Sequence, residues 1–325
     1  MLERKLTVVT GKGGVGKTTV AAALGLLAAE RGLRTIVVEV GDHARLPALF
    51  GLARGDSASE TKLENGLWSI SIDPDRALLE WLQTLGGRVS GRVLASSSTF
   101  QYFAAAAPGA KEFVTMVKIW ELTQGERWQR RTSAYDLVVL DAPATGHALG
   151  MLHSPRTFGA IARVGPIAGH SQEVRDLLED PARSSYVAVA QGTEMAVTET
   201  LELTASLRRQ VGRELETVIV NGLLPRRFTE PELRRIARLG GVELAPVKHG
   251  GRAVARSLDA TPGDAVVHSA ALAARAVHNR ARLQRNQVAR LRRRRFEVLG
   301  IPFVFTAELD LEAVRRIAAS LGRKL

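Results

Sequence analysis

Residues Gly11–Thr19 read GKGGVGKTT. Gly11, Gly16, Lys17 and Thr18 satisfy G-x-x-x-x-G-K-[ST], a loop whose backbone N–H groups close around phosphate. Glycines are needed because no Cβ then blocks the turn that points successive amides at one anion. The context fits: the apolar run LTVVT precedes the loop, and TTVAAALGLLAAERG follows with the composition of a helix. A helix starting there adds roughly half a positive charge at its first turn. In this arrangement Lys17 meets the β- and γ-phosphates as a point charge, and Thr18 offers its hydroxyl to Mg²⁺. Gly11, Gly13, Gly14, Val15, Gly16, Lys17, Thr18 and Thr19 are therefore the expected nucleotide contacts.

Working outward, short β-branched runs recur between stretches of helical spacing. Strands are expected at Lys5–Thr10, Arg34–Val40, Leu67–Asp73, Tyr135–Asp141, Tyr186–Ala190, Thr217–Leu223 and Pro302–Phe305. Most are almost wholly apolar, as strands covered on both faces are. Strand alternating with helix implies right-handed crossovers. The expected fold is a doubly wound α/β domain spanning 1–325, with a mainly parallel sheet of the P-loop NTPase kind. Helical insertions are expected at about 75–133 and 153–181.

The 325 residues contain no cysteine. That excludes disulfides, thiolate catalysis and thiol capture of arsenite. No apolar run reaches the ~18 residues of a membrane span, and no secretory signal is visible, so a cytoplasmic protein without stable membrane insertion is expected. The net charge of +12 is uneven. Residues 208–325 hold 24 basic and 11 acidic side chains, and the first 207 hold 21 and 22. The excess is densest in RARLQRNQVARLRRRR, Arg280–Arg295. A solvated helix face explains it most simply. A nucleic-acid or acidic-lipid surface is the sharper reading, although no aromatic residues interleave for base stacking.

Lys12 extends the motif to K-G-G-x-G-K-T. This resembles the deviant Walker A loop of a P-loop branch that includes arsenite-pump ATPases, tail-anchored-protein targeting ATPases, nitrogenase iron protein, and partition and division-site ATPases. The resemblance implies ATP and Mg²⁺ as ligands. It also implies a face-to-face homodimer, or heterodimer with a related subunit, in which Lys12 reaches the partner's nucleotide. Residues 135–152, YDLVVLDAPATGHALGML, narrow the branch. The strand ends in Asp141, a Walker B aspartate for the Mg²⁺ shell. The following residues are similar to the D-T-A-P-T-G-H-T-L-x-x-L switch II element of the arsenite-pump and tail-anchored-targeting ATPases, with Pro143, Gly146 and His147 as its moving part. TVIVNGLLP, Thr217–Pro225, resembles the family's V-V-V-N-Q-L-x-P, so Asn221 is expected to read the adenine edge. IPFVF resembles the adenine loop, which puts Pro302 and Phe303 on the base.

One element departs from the pattern. The family's first switch reads S-T-D-P-A-H-S-L-x-x-x-F, and its aspartate polarises the attacking water. The same register here gives EVGDHARLPALF, Glu39–Phe50, with Gly41 at the aspartate position and Asp42 one place on. On an extended backbone that carboxylate faces the other way. The resemblance then implies a subunit that binds ATP but hydrolyses it weakly alone, like one half of the paired, non-identical members of some bacteria. The insertion offers a groove for an apolar protein client through Leu78, Leu79, Trp81, Leu82, Leu85, Phe113, Met116, Val117 and Ile119. Ordinary packing on the sheet is the simpler expectation for these side chains. The rival function is a partition-type regulator that uses the basic last third on DNA or a membrane surface.

Overall fold

The computed structural model describes residues 1–41, 44–53, 59–84, 108–128, 133–162, 164–240 and 262–325. Asp42 and Leu85 lie outside the described residues. Among the described residues, eight strands form one sheet: β1 Leu6–Thr10, β2 Thr35–Val40, β3 Thr61–Glu64, β4 Leu67–Ile72, β5 Leu137–Asp141, β6 Ser184–Gln191, β7 Thr217–Leu223 and β8 Glu297–Pro302. Their order is β3-β4-β2-β5-β1-β6-β7-β8. Every neighbouring pair is parallel except β3 with β4. This is the doubly wound α/β sheet that the apolar strands imply.

Alternation along each strand feeds two cores. Leu6 and Val8 of β1, with Val138 and Leu140 of β5, face one side. Val9, Leu137 and Val139 face the other. The second side is covered by α1, Lys17–Glu30, and by the C-terminal helix Leu311–Gly322. Helix α1 is buried from Thr19 to Ala28, between the sheet and that helix. Its alanines and Gly25 permit the approach: a Cβ on Gly25 would sit 2.5 Å from Val37 Cγ2. The C-terminal helix buries Val314, Ile317, Ala318 and Leu321 against α1, so it closes the fold.

The remaining helices are α2 Leu46–Leu49, α3 at 74–84, α4 Ala110–Leu122, α5 Thr145–Ile161, α6 Pro166–Glu179, α7 Glu194–Val211, α8 Glu230–Leu239 and α9 Pro262–Arg292; the C-terminal helix is α10. Trp81, Phe113, Met116, Val117 and Ile119 are buried in the first core, so packing claims these side chains of the insertion. Leu79 remains 40% exposed. A buried ionic cluster pins α4 to the sheet edge: Arg127 bonds Glu121 at 2.7 Å and Glu60 at 2.6 Å, and Tyr135 donates its hydroxyl to Glu60 at 2.7 Å. The insertion expected from residue 153 begins inside α5, and α5 and α6 together carry the chain from β5 to β6.

Two strand readings need correction. The last strand is EVLGIP, Glu297–Pro302, and not Pro302–Phe305; Glu297 and Gly300 diluted its apolar signal, and PFVF leaves the sheet at Pro302. The short edge strand β3, TKLE, carries one buried side chain in four and was not expected.

Candidate nucleotide site

The glycine-rich loop leaves the carboxyl end of β1, beside β5 and β6 at the centre of the sheet. Gly11, Gly14 and Gly16 have φ of 139°, 79° and 93°. At Gly16 the need for glycine is double, since a Cβ would lie 2.4 Å from Asn221 Nδ2. Parallel pairing sets Val9 opposite Asp141, which brings the Asp141 carboxylate to the foot of the loop. Thr18 Oγ1 donates to Asp141 Oδ2 at 2.5 Å, and Lys17 Nζ donates to the Lys12 carbonyl at 3.1 Å.

A cavity of about 460 Å³ opens over the loop, lined by Gly14, Gly16, Lys17, Thr18, Thr19, Arg45, Ala48, Leu49 and Leu309. A second, of about 630 Å³, shares Gly14, Gly16, Thr19 and Leu309 with it and extends past Val15, Asn221, Arg280 and Phe303. One end is therefore polar and amide-lined, and the other carries an aromatic ring and a carboxamide. Asn221, which lines this cavity, donates through Nδ2 to the Val15 carbonyl at 3.0 Å and keeps Oδ1 as an acceptor. Phe303 lines this cavity; Pro302 ends β8 opposite Leu223 and is outside the lining.

Burial sets the electrostatics. It pushes the Asp141 carboxyl up from its ordinary range, against the Thr18 hydrogen bond and the Lys17 charge. It lowers Lys17, against Asp141, and Arg45 lowers it further. Asp141 Oδ1 is buried with no hydrogen-bond partner among the described residues. A free, buried carboxylate oxygen beside the Thr18 hydroxyl is the donor set that a hard divalent cation takes. No cluster of three or more metal-ligating side chains occurs among the described residues, so such an ion would depend on phosphate and water for its other ligands.

Lys12 is turned off the loop. Its Nζ lies 2.6 Å from Glu199 Oε1 and 2.8 Å from Met195 Sδ, both on α7. Gly146 and His147 lie exposed on the first turn of α5, whose first residue, Thr145, is two residues after Pro143. At the end of β2, Glu39 is buried and its carboxylate accepts the Arg45 and Leu46 N–H groups at 3.0 and 3.1 Å. Burial raises its pKa to about 7, opposed by those two backbone bonds. Two side chains at the site were not anticipated. Arg45 had a signal, a cation where the pattern has serine. Gln284 had none: it accepts from Leu224 N at 2.8 Å and donates to the Gly222 carbonyl at 3.0 Å, and so shapes the end of β7.

A sequence profile of the anion-transporting ATPase family matches residues 4–165, a span that includes the loop, the first switch and Asp141. ATPase BagA of Mycobacterium tuberculosis is 30% identical over 253 residues, which cover 76% of this chain and 73% of BagA. The chain belongs to the anion-transporting ATPase family. Membership makes it a nucleotide-using, ATP-hydrolysing enzyme. Arsenical pump-driving ATPases are also similar: one from Escherichia coli is 25% identical over 238 residues, 67% of this chain and 39% of that protein. One from Acidiphilium multivorum is 25% identical over 233 residues, 66% of this chain and 39% of that protein. These likenesses favour the arsenite-pump branch over the partition-type reading. Among the described residues, no helix of this anion-transporting ATPase family member is long and apolar enough to cross a membrane.

Proposed function

We propose that the chain binds Mg·ATP at the loop and works as a nucleotide-controlled dimer, with itself or with a related subunit, that handles a partner or a client with apolar surface. The carrying observation is the convergence of Lys17, Thr18 and Asp141 at one end of a divided cavity whose other end holds Asn221 and Phe303. Gly13 and Gly14 are exposed, so the amides of the loop are open to an anion. Thr18 and Asp141 would hold Mg²⁺, which supplies charge neutralisation for the phosphates. Asn221 Oδ1 would accept from the adenine amino group, and Phe303 would pack on the base.

Lys12 is the group that a dimer would recruit. A triphosphate carries more charge than Lys17 and one Mg²⁺ offset, and a second lysine brought by a partner makes closure depend on the γ-phosphate. Pro143, Gly146 and His147 would carry nucleotide state away from Asp141. Gly41 stands where the family has its water-polarising aspartate, which supports slow hydrolysis by the subunit alone. Asp42 would be the displaced carboxylate. A missing base costs typically 10²–10⁴ in rate. With no cysteine, arsenite is not the expected effector. The cytoplasm is the expected compartment.

Isothermal calorimetry with Mg·ATP and turnover of the isolated chain test this together. Heat on binding and slow turnover that rises when the chain is copurified with its native partner are expected. No heat with Mg·ATP, or brisk turnover lost in Asp42→Asn, would refute the respective halves.

A further inference from the structure

The phosphate end of the cavity has a cation that neither the loop motif nor the family pattern supplies. Arg45 immediately precedes α2 and lines the cavity of about 460 Å³ with Gly14, Gly16, Lys17 and Thr18. It occupies the position that the pattern S-T-D-P-A-H-S-L gives to its second serine. Its charge is felt by Lys17, Asp141 and Glu39 alike, as expected of a guanidinium facing the space between them.

The backbone that carries Arg45 is fixed. Glu39, 5% exposed on β2, accepts the Arg45 N–H with both carboxylate oxygens, at 3.1 and 3.0 Å, and the Leu46 N–H at 3.1 Å. The base of the arginine is therefore tied to the sheet while its side chain stays solvent-accessible. Lys12, held on Glu199, is outside this lining. A guanidinium presents a planar fork of donors that pairs with phosphate oxygens two at a time. The terminal phosphate of a nucleoside triphosphate brings about one additional negative charge over the diphosphate, so a fixed cation at that end favours the triphosphate.

We propose that Arg45 is a specificity-determining residue: its guanidinium binds the terminal phosphate from within the same chain, and Glu39 is the positioning residue that holds it there. Triphosphate is then distinguished from diphosphate before any second subunit arrives. The inference rests on the reading of the loop as an ATP site.

Calorimetry on the full chain with Mg·ATP and Mg·ADP tests it. In Arg45→Ala the preference for ATP over ADP should fall at least tenfold, through loss of ATP affinity, with the ADP Kd within twofold of the wild type. Arg45→Lys keeps the charge without the fork and should recover part of the preference. Glu39→Gln retains one accepting oxygen and should give an intermediate ratio with ADP unchanged. The exposed site of substitution leaves the melting temperature of Arg45→Ala as the folding control. Equal weakening of both nucleotides, or no change in either, overturns the role of Arg45 and leaves the ATP site standing. A wild-type chain that binds neither nucleotide overturns the reading of the loop, and the assignment of Arg45 with it.

Discussion

Replacing Glu199 with glutamine should tighten the nucleotide-dependent dimer proposed above. In the single chain Lys12 Nζ sits 2.6 Å from Glu199 Oε1, with the two side chains 37% and 35% exposed. A pair this open contributes about 0.2–1 kcal/mol. In the proposed dimer each protomer would release one such pair before its lysine crossed to the other nucleotide. That dimer would therefore forgo about 0.4–2 kcal/mol, or roughly two- to thirtyfold in dissociation constant. Glutamine leaves a hydrogen-bond acceptor but removes the charge, and the Met195 sulfur, a weak acceptor at 2.8 Å, remains. These residual contacts place the expected gain toward the lower half of the range. Sedimentation velocity over a concentration series, with Mg·ATP and then with Mg·ADP, reads it directly. The gain should appear with ATP and vanish with ADP, and Lys12→Ala should abolish the ATP-dependent dimer while preserving nucleotide binding by the monomer. A Glu199→Gln dimer no tighter than the wild type, together with normal dimerisation of Lys12→Ala, would refute the reasoning.

Gly16→Ala combines a φ of 93° with a Cβ 2.4 Å from Asn221 Nδ2, so it should cost about 1–3 kcal/mol in thermal unfolding and eliminate measurable Mg·ATP binding. Glu39 makes the fold pH-dependent: its pKa rises from an ordinary 4.5 to about 7 in the fold, so its contribution is complete below 4.5 and lost as pH climbs through 7. Denaturant melts in Mg²⁺-free buffer should show Glu39→Gln gaining on the wild type between pH 5 and pH 8 by up to about 3 kcal/mol, and a constant difference would contradict the assignment. Asn221→Ala removes the acceptor proposed for the adenine amino group, and the ATP-over-GTP preference should drop roughly two- to tenfold, the worth of one hydrogen bond, in competition binding.

The phosphate loop was legible because its constraints are local: a strand, a run of positive-φ glycines and a buried helix follow one another within Leu6–Glu30. The central strands were legible for a related reason, since burial on both faces leaves a largely apolar signature in β1, β2 and β5. What escaped was either weakly buried or long-range. β3 is a short edge strand with polar alternation, and β8 carries Glu297 and Gly300 in a run that periodicity alone passes over. Gln284 meets the end of β7 sixty-two residues away, and Lys12 meets Glu199 across 187. No spacing rule connects positions so distant. The basic stretch Arg280–Arg295 illustrates the reverse case. Arg280, Arg282, Arg285 and Arg292 are exposed on α9 while Ala281, Gln284, Val288 and Leu291 are buried, which is the solvated helix face the composition suggested; Arg293–Arg295 follow the helix end.

The C-terminal segment also sets a timetable. Leu309 borders both cavities, and α10 lies along α1. On the ribosome the phosphate loop emerges well before Leu309 and α10, the wall that completes its pocket. At about 5–20 residues per second, that leaves the loop and the apolar flank of its helix uncovered for roughly 15–60 s. During synthesis, a chain stopped before residue 311 would have the grip for a nucleotide without the closure, and would depend on chaperones to keep α1 from other hydrophobic surfaces.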